Sequence, residues 1–458
     1  STGSWDDDGI LLAPLEDGGV YITGTFESPA TFGETVLTPA GGKDFYIAKY
    51  DANGHLSWAK SEGGTDNDQS KGGVFALPDG SLYVAGYFKS PQIFGDTTAA
   101  SDAYDGFLAK YDSSGNRLWV RTQLDGGNNS LVRVLSDGSA YMRYGARGEG
   151  SNILAKYGPD GTIAWTREVG APDGVLVRVL DDGSAFVSGG FADSLSIGDT
   201  TLTPDGARNL FLAKYDVNGD AVWAKNLGGV SGALTTLGGA AYVSGGFTGS
   251  ISIGGTTLNA THTNDLFLAK YDAAGDLVWA KDIGGSNDPF GAAIDGLGSS
   301  LYLRGSFEGA LGIGSSTLNS AGGRDGLVAK LDSEGVFGWV DEIGGANDEA
   351  PRVLCPAPDG SLYVLSSSQS NVQTGEDTLS TTGYSLSRYD AEGSSMSVRA
   401  AGLRNAEQDS RPSSLGVNQA GALFVTGYFD TRVRLGSLDM QVPAGVAGNG
   451  RGIFVARQ

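Results

Sequence analysis

The residues with the most obvious chemistry are carboxylates and amides in short, glycine-rich loops. They are Asp6, Asp7, Asp8, Asp66, Asp68, Asp125, Asp173, Asp288, Asp348 and Asp409, with Asn67, Asn287 and Asn347 beside them. Oxygen atoms of this kind are the ligands that Ca²⁺ prefers, so Asp66, Asp68, Asp288 and Asp348 are candidate Ca²⁺ ligands. No loop carries the Asp-x-Asp-x-Asp-Gly series that gathers such ligands together. The alternative is a local Asx-type turn built by Gly-Gly-x-Asn-Asp.

A catalytic site has few candidate residues. The chain contains 2 His and 1 Cys, which leaves almost no candidates for a His-ligated metal or a Ser-His-Asp triad. Paired carboxylates of the glycosidase type remain available in so acidic a chain. We therefore expect a protein without enzymatic activity and keep a carboxylate-dependent hydrolase as an alternative.

A group of arginines is the candidate binding surface. Arg133, Arg143 and Arg147 occur within one short stretch, and Arg178 lies in the next predicted inner strand. The formal net charge of the chain is −22, so a local cationic surface could bind an acidic partner. The alternative is that these arginines neutralise carboxylates around them.

All of these residues lie on a sequence repeat of about 55–60 residues that covers the chain. In its most regular copy, at 265–285, a strand ending in Ala-Lys-Tyr-Asp leads through an Asp-Ala-Ala-Gly turn into a strand with Trp279. Such turns predict hairpins because glycine adopts positive φ without steric cost. Copies of the Ala-Lys element end at Lys49, Lys110, Lys156, Lys214, Lys270 and Lys330, with Arg388 and Arg457 as variants.

Each repeat carries four strand signals, which is typical of a β-propeller blade. A short extra hairpin follows the second strand in every repeat except the third. The first residues resemble a fourth strand and the last residues a third strand, so the two ends are expected to complete one blade. We predict an all-β fold, an eight-bladed β-propeller of four-stranded antiparallel blades that is closed by pairing of the N- and C-terminal segments. This single domain covers 1–458, with blades at about 9–60, 71–121, 130–168, 174–226, 231–282, 290–342, 350–400 and 411–458 plus 1–7.

Tryptophan recurs at one place in the predicted fourth strand. The seven copies are Trp5, Trp58, Trp119, Trp165, Trp223, Trp279 and Trp339. A ring of aromatic side chains could stack on carbohydrate. A residue that recurs in nearly every repeat is more often scaffold, however, and we expect these indoles to pack between adjacent sheets, where each buries on the order of 200 Å². The repeated lysines are expected to bond to a neighbouring turn with their stems packed.

Composition limits the partners and the compartment. The negative charge and the lack of a basic, aromatic-interleaved patch argue against nucleic acid. No apolar run approaches the ~18 residues of a membrane-spanning helix. An acidic, Cys-poor chain with 74 Gly suits a bacterial protein that is secreted, periplasmic or displayed on the cell surface. We also expect that a segment was removed before Ser1.

The repeats resemble the bacterial β-propeller repeats of the SBBP type. The resemblance lies in the aromatic-Val-x-Gly strand, the Asp-x-Phe-x-Ala-Lys-x-Asp strand and the Gly-Gly-x-x-Asp loop, and it covers essentially the whole chain. It implies an extracellular or cell-surface propeller. The Tyr-Asp-x-x-Gly-x-x-x-Trp element is also similar to the eight-bladed propellers of quinoprotein dehydrogenases and of the outer-membrane assembly lipoprotein BamB, although the turn here is one residue shorter.

The resulting functional prediction is a non-enzymatic binding or scaffold propeller. It would recognise a protein or glycan surface or associate with copies of itself, without a cofactor or, as the alternative, with bound Ca²⁺. The alternatives are an extracytoplasmic assembly scaffold similar to BamB and a carboxylate-dependent hydrolase on the rim face.

Overall fold

The computed structural model describes most of the chain. The described residues are 2–4, 11–89, 92–94, 97–99, 105–125, 129–145, 152–170, 175–286, 290–297, 299–369, 371–374, 377–379, 383–405, 408–429, 432–435, 438–441 and 450–457. Within these ranges every regular element is a β-strand. None of the described segments is a helix that could cross a membrane. The all-β prediction is confirmed.

The chain divides into two compact units. The first comprises Ser1–Gly148, Ile153–Thr166 and Ala400–Gln458, and the second comprises Glu149–Asn152 and Arg167–Arg399. Each unit is built from copies of one antiparallel four-stranded sheet.

The first unit holds the sheets of the first three repeats. After β1 (Thr2–Ser4), the first repeat contains β2 (Leu11–Pro14), β3 (Val20–Phe26), β4 (Ala30–Phe32), β5 (Thr35–Leu37), β6 (Asp44–Tyr50) and β7 (Leu56–Gly64). The second contains β8 (Asp68–Ala76), β9 (Leu82–Phe88), β10 (Gln92–Phe94), β11 (Thr97–Ala99), β12 (Asp105–Tyr111) and β13 (Arg117–Asp125). The third contains β14 (Ser130–Val134), β15 (Ala140–Gly145), β16 (Asn152–Tyr157) and β17 (Ile163–Glu168), whose last residues pass into the second unit.

The second unit continues the series. The fourth repeat contains β18 (Val175–Val179), β19 (Ala185–Phe191), β20 (Leu195–Ile197), β21 (Thr200–Leu202), β22 (Asn209–Tyr215) and β23 (Ala221–Gly228). The fifth contains β24 (Val230–Leu237), β25 (Ala240–Phe247), β26 (Ser250–Ile253), β27 (Thr256–Asn259), β28 (Asn264–Tyr271) and β29 (Leu277–Ser286). The sixth contains β30 (Phe290–Leu297), β31 (Ser300–Phe307), β32 (Ala310–Ile313), β33 (Ser316–Asn319), β34 (Asp325–Asp332) and β35 (Phe337–Gly344). The seventh contains β36 (Glu349–Pro356), β37 (Leu362–Ser368), β38 (Val372–Thr374), β39 (Asp377–Leu379), β40 (Gly383–Tyr389) and β41 (Ser395–Asn405), whose residues from Ala400 onward belong to the first unit.

The last repeat lies in the first unit. It contains β42 (Gln408–Val417), β43 (Leu423–Phe429), β44 (Arg432–Leu435), β45 (Leu438–Gln441) and β46 (Gly450–Arg457). Its fourth strand is β1, which pairs antiparallel with β46 so that Gly3 faces Arg451. Trp5, which the sequence places in this strand, lies outside the described residues.

Two of the extra hairpins pair with the preceding sheet. In the second repeat, β10 pairs with β7 of the first repeat, with Ile93 opposite Gly63. In the seventh, β38 pairs with β35 of the sixth in the same way. The third repeat shows its four sheet strands in the described residues, in agreement with its short sequence. Each of these two hairpins therefore covers the outer strand of a neighbouring sheet. Without a partner, that strand would be open to aggregation.

Strand register brings together the three residue types that recur most regularly in the repeat: an aromatic residue, a lysine and a tryptophan. In the fifth repeat Tyr242 lies opposite Lys270, and Lys270 lies opposite Trp279. The three side chains form a row across the sheet, with the Lys270 ammonium 5.7 Å from the centre of the Tyr242 ring. An ammonium over an aromatic face is attracted by the ring quadrupole. The same row occurs in the second repeat, where the Lys110 ammonium lies 5.0 Å from the Tyr83 ring.

Apolar cores lie between consecutive sheets. Tyr21, Phe45 and Ile47 of the first repeat pack with Leu82 and Phe107 of the second, and all five are fully buried. The rings of Phe45 and Phe107 are stacked at 5.1 Å. A single repeat cannot bury such residues alone, so the repeats depend on each other for stability.

Indoles of the fourth strands lie against the glycine turn of the next repeat. Gly275, at φ 90°, lies against Trp223, and a Cβ there would come within 2.8 Å of the indole. The Trp223 Nε1–H donates to the carbonyl of Ala273 in the same turn at 3.3 Å. Two features therefore favour glycine at this position. The backbone has positive φ, and a side chain would overlap the indole.

We predict that Gly275→Ala lowers the free energy of unfolding by about 2–4 kcal/mol, the sum of left-handed backbone strain and the overlap with Trp223. The matched control is Gly255→Ala, because Gly255 has φ 88° and open space around its α-carbon. It loses only the backbone term, about 1–2 kcal/mol. Urea unfolding of both variants measures the difference, and equal losses would show that the indole contact contributes nothing.

Candidate functional site

The loop that contains Asp66 and Asp68 is held by its own polar side chains. Asp68 is fully buried at the start of β8. Its carboxyl oxygens accept the backbone N–H of Gly64 at 2.6 Å and that of Lys89 at 3.3 Å. The neighbouring Asn67 accepts the N–H of Lys43 at 3.0 Å. These oxygens bond to backbone N–H groups of their own loop and of two other segments, whereas an Asx-type turn would bond an N–H two residues further along the chain.

Asp348 occupies a different position in its repeat from Asp68. It is exposed, and its carboxylate accepts the N–H of Arg324 at 3.0 Å. That bond makes it the equivalent of Asn67, while Glu349 takes the place of Asp68. Asp288 lies outside the described residues. Among the residues that are described, no group of three His, Cys, Asp or Glu side chains is arranged to hold a metal, and Ca²⁺ binding stays a prediction.

Buried carboxyl pairs are the feature that sequence reasoning missed. Asp44, Asp265 and Asp325 each lie at or near the start of the third strand of a repeat, and each is buried. Asp44 accepts the N–H of Ala40 at 2.7 Å, and Asp325 accepts that of Ala321 at 2.8 Å. A second carboxyl interacts with each one, giving the pairs Asp44 with Asp68, Asp265 with Asp282 and Asp325 with Glu342.

Burial raises the pKa of several members of these pairs. Burial raises the pKa of Asp68 to about 8, and the nearby charges of Asp44 and Asp66 act in the same direction. Burial also raises the pKa of Glu342 to about 8, assisted by its hydrogen bond to Asp325. The Gly-Gly pair of the repeat was the available sequence signal for a buried carboxyl. A Cβ on Gly63 would lie 2.0 Å from the Asp44 carboxyl carbon, so a side chain there would overlap the carboxyl.

The arginines predicted as one binding surface are distributed over both units. Arg133 lies on β14 opposite Tyr141, and Arg143 lies on the adjacent strand β15 opposite Ser130. Burial lowers the pKa of Arg143. Arg178 lies in the second unit, where burial lowers its pKa and the Asp295 carboxylate opposes that shift. The Asp295 interaction agrees with the neutralising role named as the alternative, and Arg147 lies outside the described residues.

The repeated tryptophans and lysines contact neighbouring turns. Nε1 of Trp58 donates to the Ser113 carbonyl at 3.2 Å, and Nε1 of Trp119 donates to that of Pro159 at 3.0 Å. The Lys214 ammonium donates to the Ala273 carbonyl at 3.1 Å. These are contacts between consecutive sheets, and the lysine bond to a neighbouring turn is the one that the sequence predicts.

A cavity of about 250 Å³ lies in the first unit, where the turns of three repeats meet. Its walls come from residues 14–17 at the end of β2, from residues 76–78 and Gly80 at the end of β8, from residues 417–419 at the end of β42, and from Lys49. One lining residue, Asn418, is 5% exposed. Its Oδ1 accepts the N–H of Ala422 at 2.9 Å, whereas its buried Nδ2 has no hydrogen-bond partner in the protein.

Asn418 departs from the pattern of the repeat. In the first two repeats the equivalent first residue of the turn is Leu15 or Leu77, which are both buried. There an aspartate two residues later binds the turn, as Asp17 does by accepting the N–H of Gly19 at 2.8 Å. The last repeat has Ala420 at that place, so Asn418 supplies the acceptor instead. This exchange accounts for Oδ1 but leaves the Nδ2 donor unexplained.

Comparison with known proteins identifies partial relatives. No protein-family model matches the chain. Part of this chain is 28% identical to the Regulatory protein FlaEY of Caulobacter vibrioides over 157 residues, which cover 32% of this chain and 16% of that protein. An uncharacterized WD repeat-containing protein of Acanthamoeba polyphaga mimivirus is 29% identical over 139 residues, covering 26% of this chain and 10% of the relative.

The solved structures similar to this chain include β-propellers. The Dos1 propeller has a TM-score of 0.47 at 10% identity, and the match covers 99% of this chain and 95% of that structure. The β-propeller domain of the Trilobed protease from Pyrococcus furiosus has a TM-score of 0.42 at 10% identity, covering 80% of this chain and 92% of that structure. The resemblance to SBBP-type or BamB-type propellers stays a prediction.

We predict that the protein is more stable at pH 5 than at pH 9. Asp68 and Glu342 have a pKa of about 8 in the folded state and an ordinary value of about 4 when unfolded. Between these values the folded chain holds protons that the unfolded chain has released, so the free energy of unfolding falls as pH rises.

The measurement is urea unfolding at a series of pH values for wild type and Asp68→Asn. The variant is expected to show a shallower fall, because it lacks one of the two groups. The control Asp199→Asn removes an exposed carboxylate and the same charge, and should leave the slope as in wild type. A slope that is unchanged in Asp68→Asn would contradict the assignment.

Proposed function

We propose that this chain is a non-enzymatic binding platform for a glycan, built on a closed eight-bladed β-propeller. Eight copies of the repeat and the pairing of β1 with β46 support the closed ring. A bacterial location that is secreted, periplasmic or on the cell surface is part of the same proposal, and rests on the composition. Recognition of a protein surface and self-association are the alternatives to a glycan.

The observation that carries this proposal is the contrast between repeated and unrepeated polar groups. The indole N–H groups of Trp58, Trp119 and Trp223 bond to the protein's own turns, as do the Lys214 ammonium and the Asp272 carboxylate. The last repeat is different at Asn418, which stands where the first two repeats have a buried leucine and which lines a cavity of about 250 Å³. A binding site is therefore expected where the repeat pattern changes rather than on its repeated residues.

A hydrolytic role fits the buried carboxyl groups less well. Asp68, Asp265 and Asp325, one from each carboxyl pair, are fully buried. A general acid must come within hydrogen-bond reach of the bond that it protonates. Their contacts with backbone N–H groups instead suit a structural role in the loops.

The ring can be tested by removing β1. Deletion of residues 1–4 removes three residue pairs with β46 and is expected to lower the free energy of unfolding by about 2 kcal/mol, at about 1 kcal/mol for each lost hydrogen bond. The control is a chain with a short Ser-Gly extension before Ser1, which keeps the pairing. An experimental structure with seven or nine sheets, or a deletion without effect, would contradict the proposed closure.

The binding role can be tested on an array of bacterial envelope glycans. We predict that the full chain binds at least one neutral glycan and releases no reducing sugar from it during prolonged incubation. Reducing ends that accumulate in proportion to protein concentration would establish a hydrolase instead. An array without signal, together with a specific protein partner or a defined homo-oligomer, would overturn glycan binding in favour of protein recognition or self-association.

A further inference from the structure

We propose that the third repeat binds a β-hairpin of another protein at the place where it lacks a hairpin of its own. The connection between its second and third strands spans 146–151, whereas that of the fifth repeat spans 248–263 and contains β26 and β27. This inference goes beyond the proposed glycan binding, because it adds a second surface and a partner that is a protein.

The hairpin of the sixth repeat shows what such an element covers. Gly312, on β32, lies against Gly284 near the end of β29, the fourth strand of the preceding repeat. Gly314, in the turn of the hairpin, lies against Phe337 at the start of β35, the fourth strand of its own repeat. The hairpin therefore covers the end of one fourth strand and the start of the next.

This contact covers the residue that lies two positions before the tryptophan of the fourth strand. In the first, fourth, fifth and sixth repeats that residue is half-buried and lies against the turn glycine of its own hairpin. The four residues are Leu56, Ala221, Leu277 and Phe337. In the third repeat the equivalent residue is Ile163, which is 58% exposed.

The residue directly after the tryptophan shows the same difference. Thr166 of the third repeat is exposed. The equivalent residues of other repeats are partly or fully buried, and they are Ala59, Val120, Ala224, Ala280 and Val340. Ile163 and Thr166 thus form an open face of the third repeat, at the place where a hairpin covers other repeats.

The chemistry of the missing cover follows from the hairpin of the fifth repeat. Its residues Ile251, Ile253 and Leu258 belong to the same apolar core as Leu277 and Ala280 of the fourth strand. Because side chains of a strand alternate between its two faces, a hairpin places aliphatic residues on one face at every second position. An occupant of the open face is expected to have the same alternation.

The strand β13 offers backbone groups beside the open face. It is the outermost strand of its sheet in the described part of the chain. The turn before Ile163 lies against it, since the Arg121 Nε–H donates to the Gly161 carbonyl at 2.6 Å. Leu124 lies as far beyond its tryptophan as Gly63 does, and Gly63 is opposite Ile93 of a hairpin. An outer strand of this kind can accept a strand from a partner.

Charge favours another protein over a second copy of this chain. Two copies with a formal net charge of −22 each repel one another. The hairpins of the fifth and sixth repeats, at 250–259 and 310–319, contain no charged residue. The expected occupant is therefore an uncharged or basic hairpin with alternating aliphatic residues.

The probe is a cyclic peptide with the sequence of residues 249–260, closed by a D-Pro-Gly turn. The two ends of this segment lie together in the protein, where the Ala260 N–H donates to the Gly249 carbonyl at 2.7 Å. Cyclisation forms the hairpin before binding and so removes most of the cost of ordering it. The control peptide carries Ile251→Ser and Ile253→Ser, which keep the backbone and remove two aliphatic side chains.

The test is calorimetric titration of the full chain with both peptides. We expect the first peptide to bind wild type and the control peptide to bind roughly tenfold more weakly or not at all. Ile163→Ser is expected to weaken binding of the first peptide by roughly tenfold. The matched control is Val278→Ser, because Val278 is an aliphatic residue of another fourth strand and is 48% exposed. It should bind as wild type does.

A further variant supplies the missing element. Replacement of 146–151 by 248–263 gives the third repeat a hairpin of its own, which is expected to occupy the open face and abolish binding of the peptide. Thermal unfolding of each variant shows whether the fold is kept.

Three results would overturn the inference. The peptide fails to bind wild type, or Ile163→Ser binds it as well as wild type does. The third result is a dimer of wild type in sedimentation analysis that is lost in Ile163→Ser, which would assign the open face to a second copy. Glycan-array binding of Ile163→Ser is expected to equal that of wild type, so the two proposals fail separately.

Discussion

The contact between an indole and the glycine turn of the next repeat is the interaction on which each unit depends. Trp58 lies against Gly115, Trp119 against Gly161, Trp223 against Gly275, Trp279 against Gly335 and Trp339 against Gly393. In each pair the glycine has positive φ, so the turn presents a flat backbone surface to the ring. The contact fixes the distance between consecutive sheets at their outer strands, while the aromatic and aliphatic cores fix it further in. The same contact therefore recurs between consecutive sheets, because the residues that form it recur in the sequence.

Much of the fold could be predicted from the sequence because its signals are local. Asp-x-x-Gly turns, alternating strands and the recurrent Trp give the strands and their order, and the structure has them in that order. The register that aligns Tyr242, Lys270 and Trp279 follows from the same turns. The pairing of β10 with β7 could not be predicted in this way. It joins residues of two repeats through backbone atoms, which carry no residue-type signal.

The candidate site was harder to predict than the fold. Asp44 and Asp68 are far apart along the chain, and their interaction depends on how one loop lies on another. The arginine surface stays a prediction: Arg143 and Arg178 belong to different units, and a sequence does not show whether such residues lie close together. Asn418 shows the opposite case. Its position in the turn is visible in the sequence, but only the packing reveals that its amide nitrogen is buried without a partner.

The hairpin that pairs with the preceding sheet has a consequence for how such a chain can grow. In the second and seventh repeats the hairpin belongs to one copy by sequence and to the copy before it by pairing. Structural and genetic modules are therefore offset from each other. At these two junctions the outer strand of one copy is covered by a hairpin that the next copy encodes. A whole copy inserted at such a junction would therefore bring with it the cover for its older neighbour.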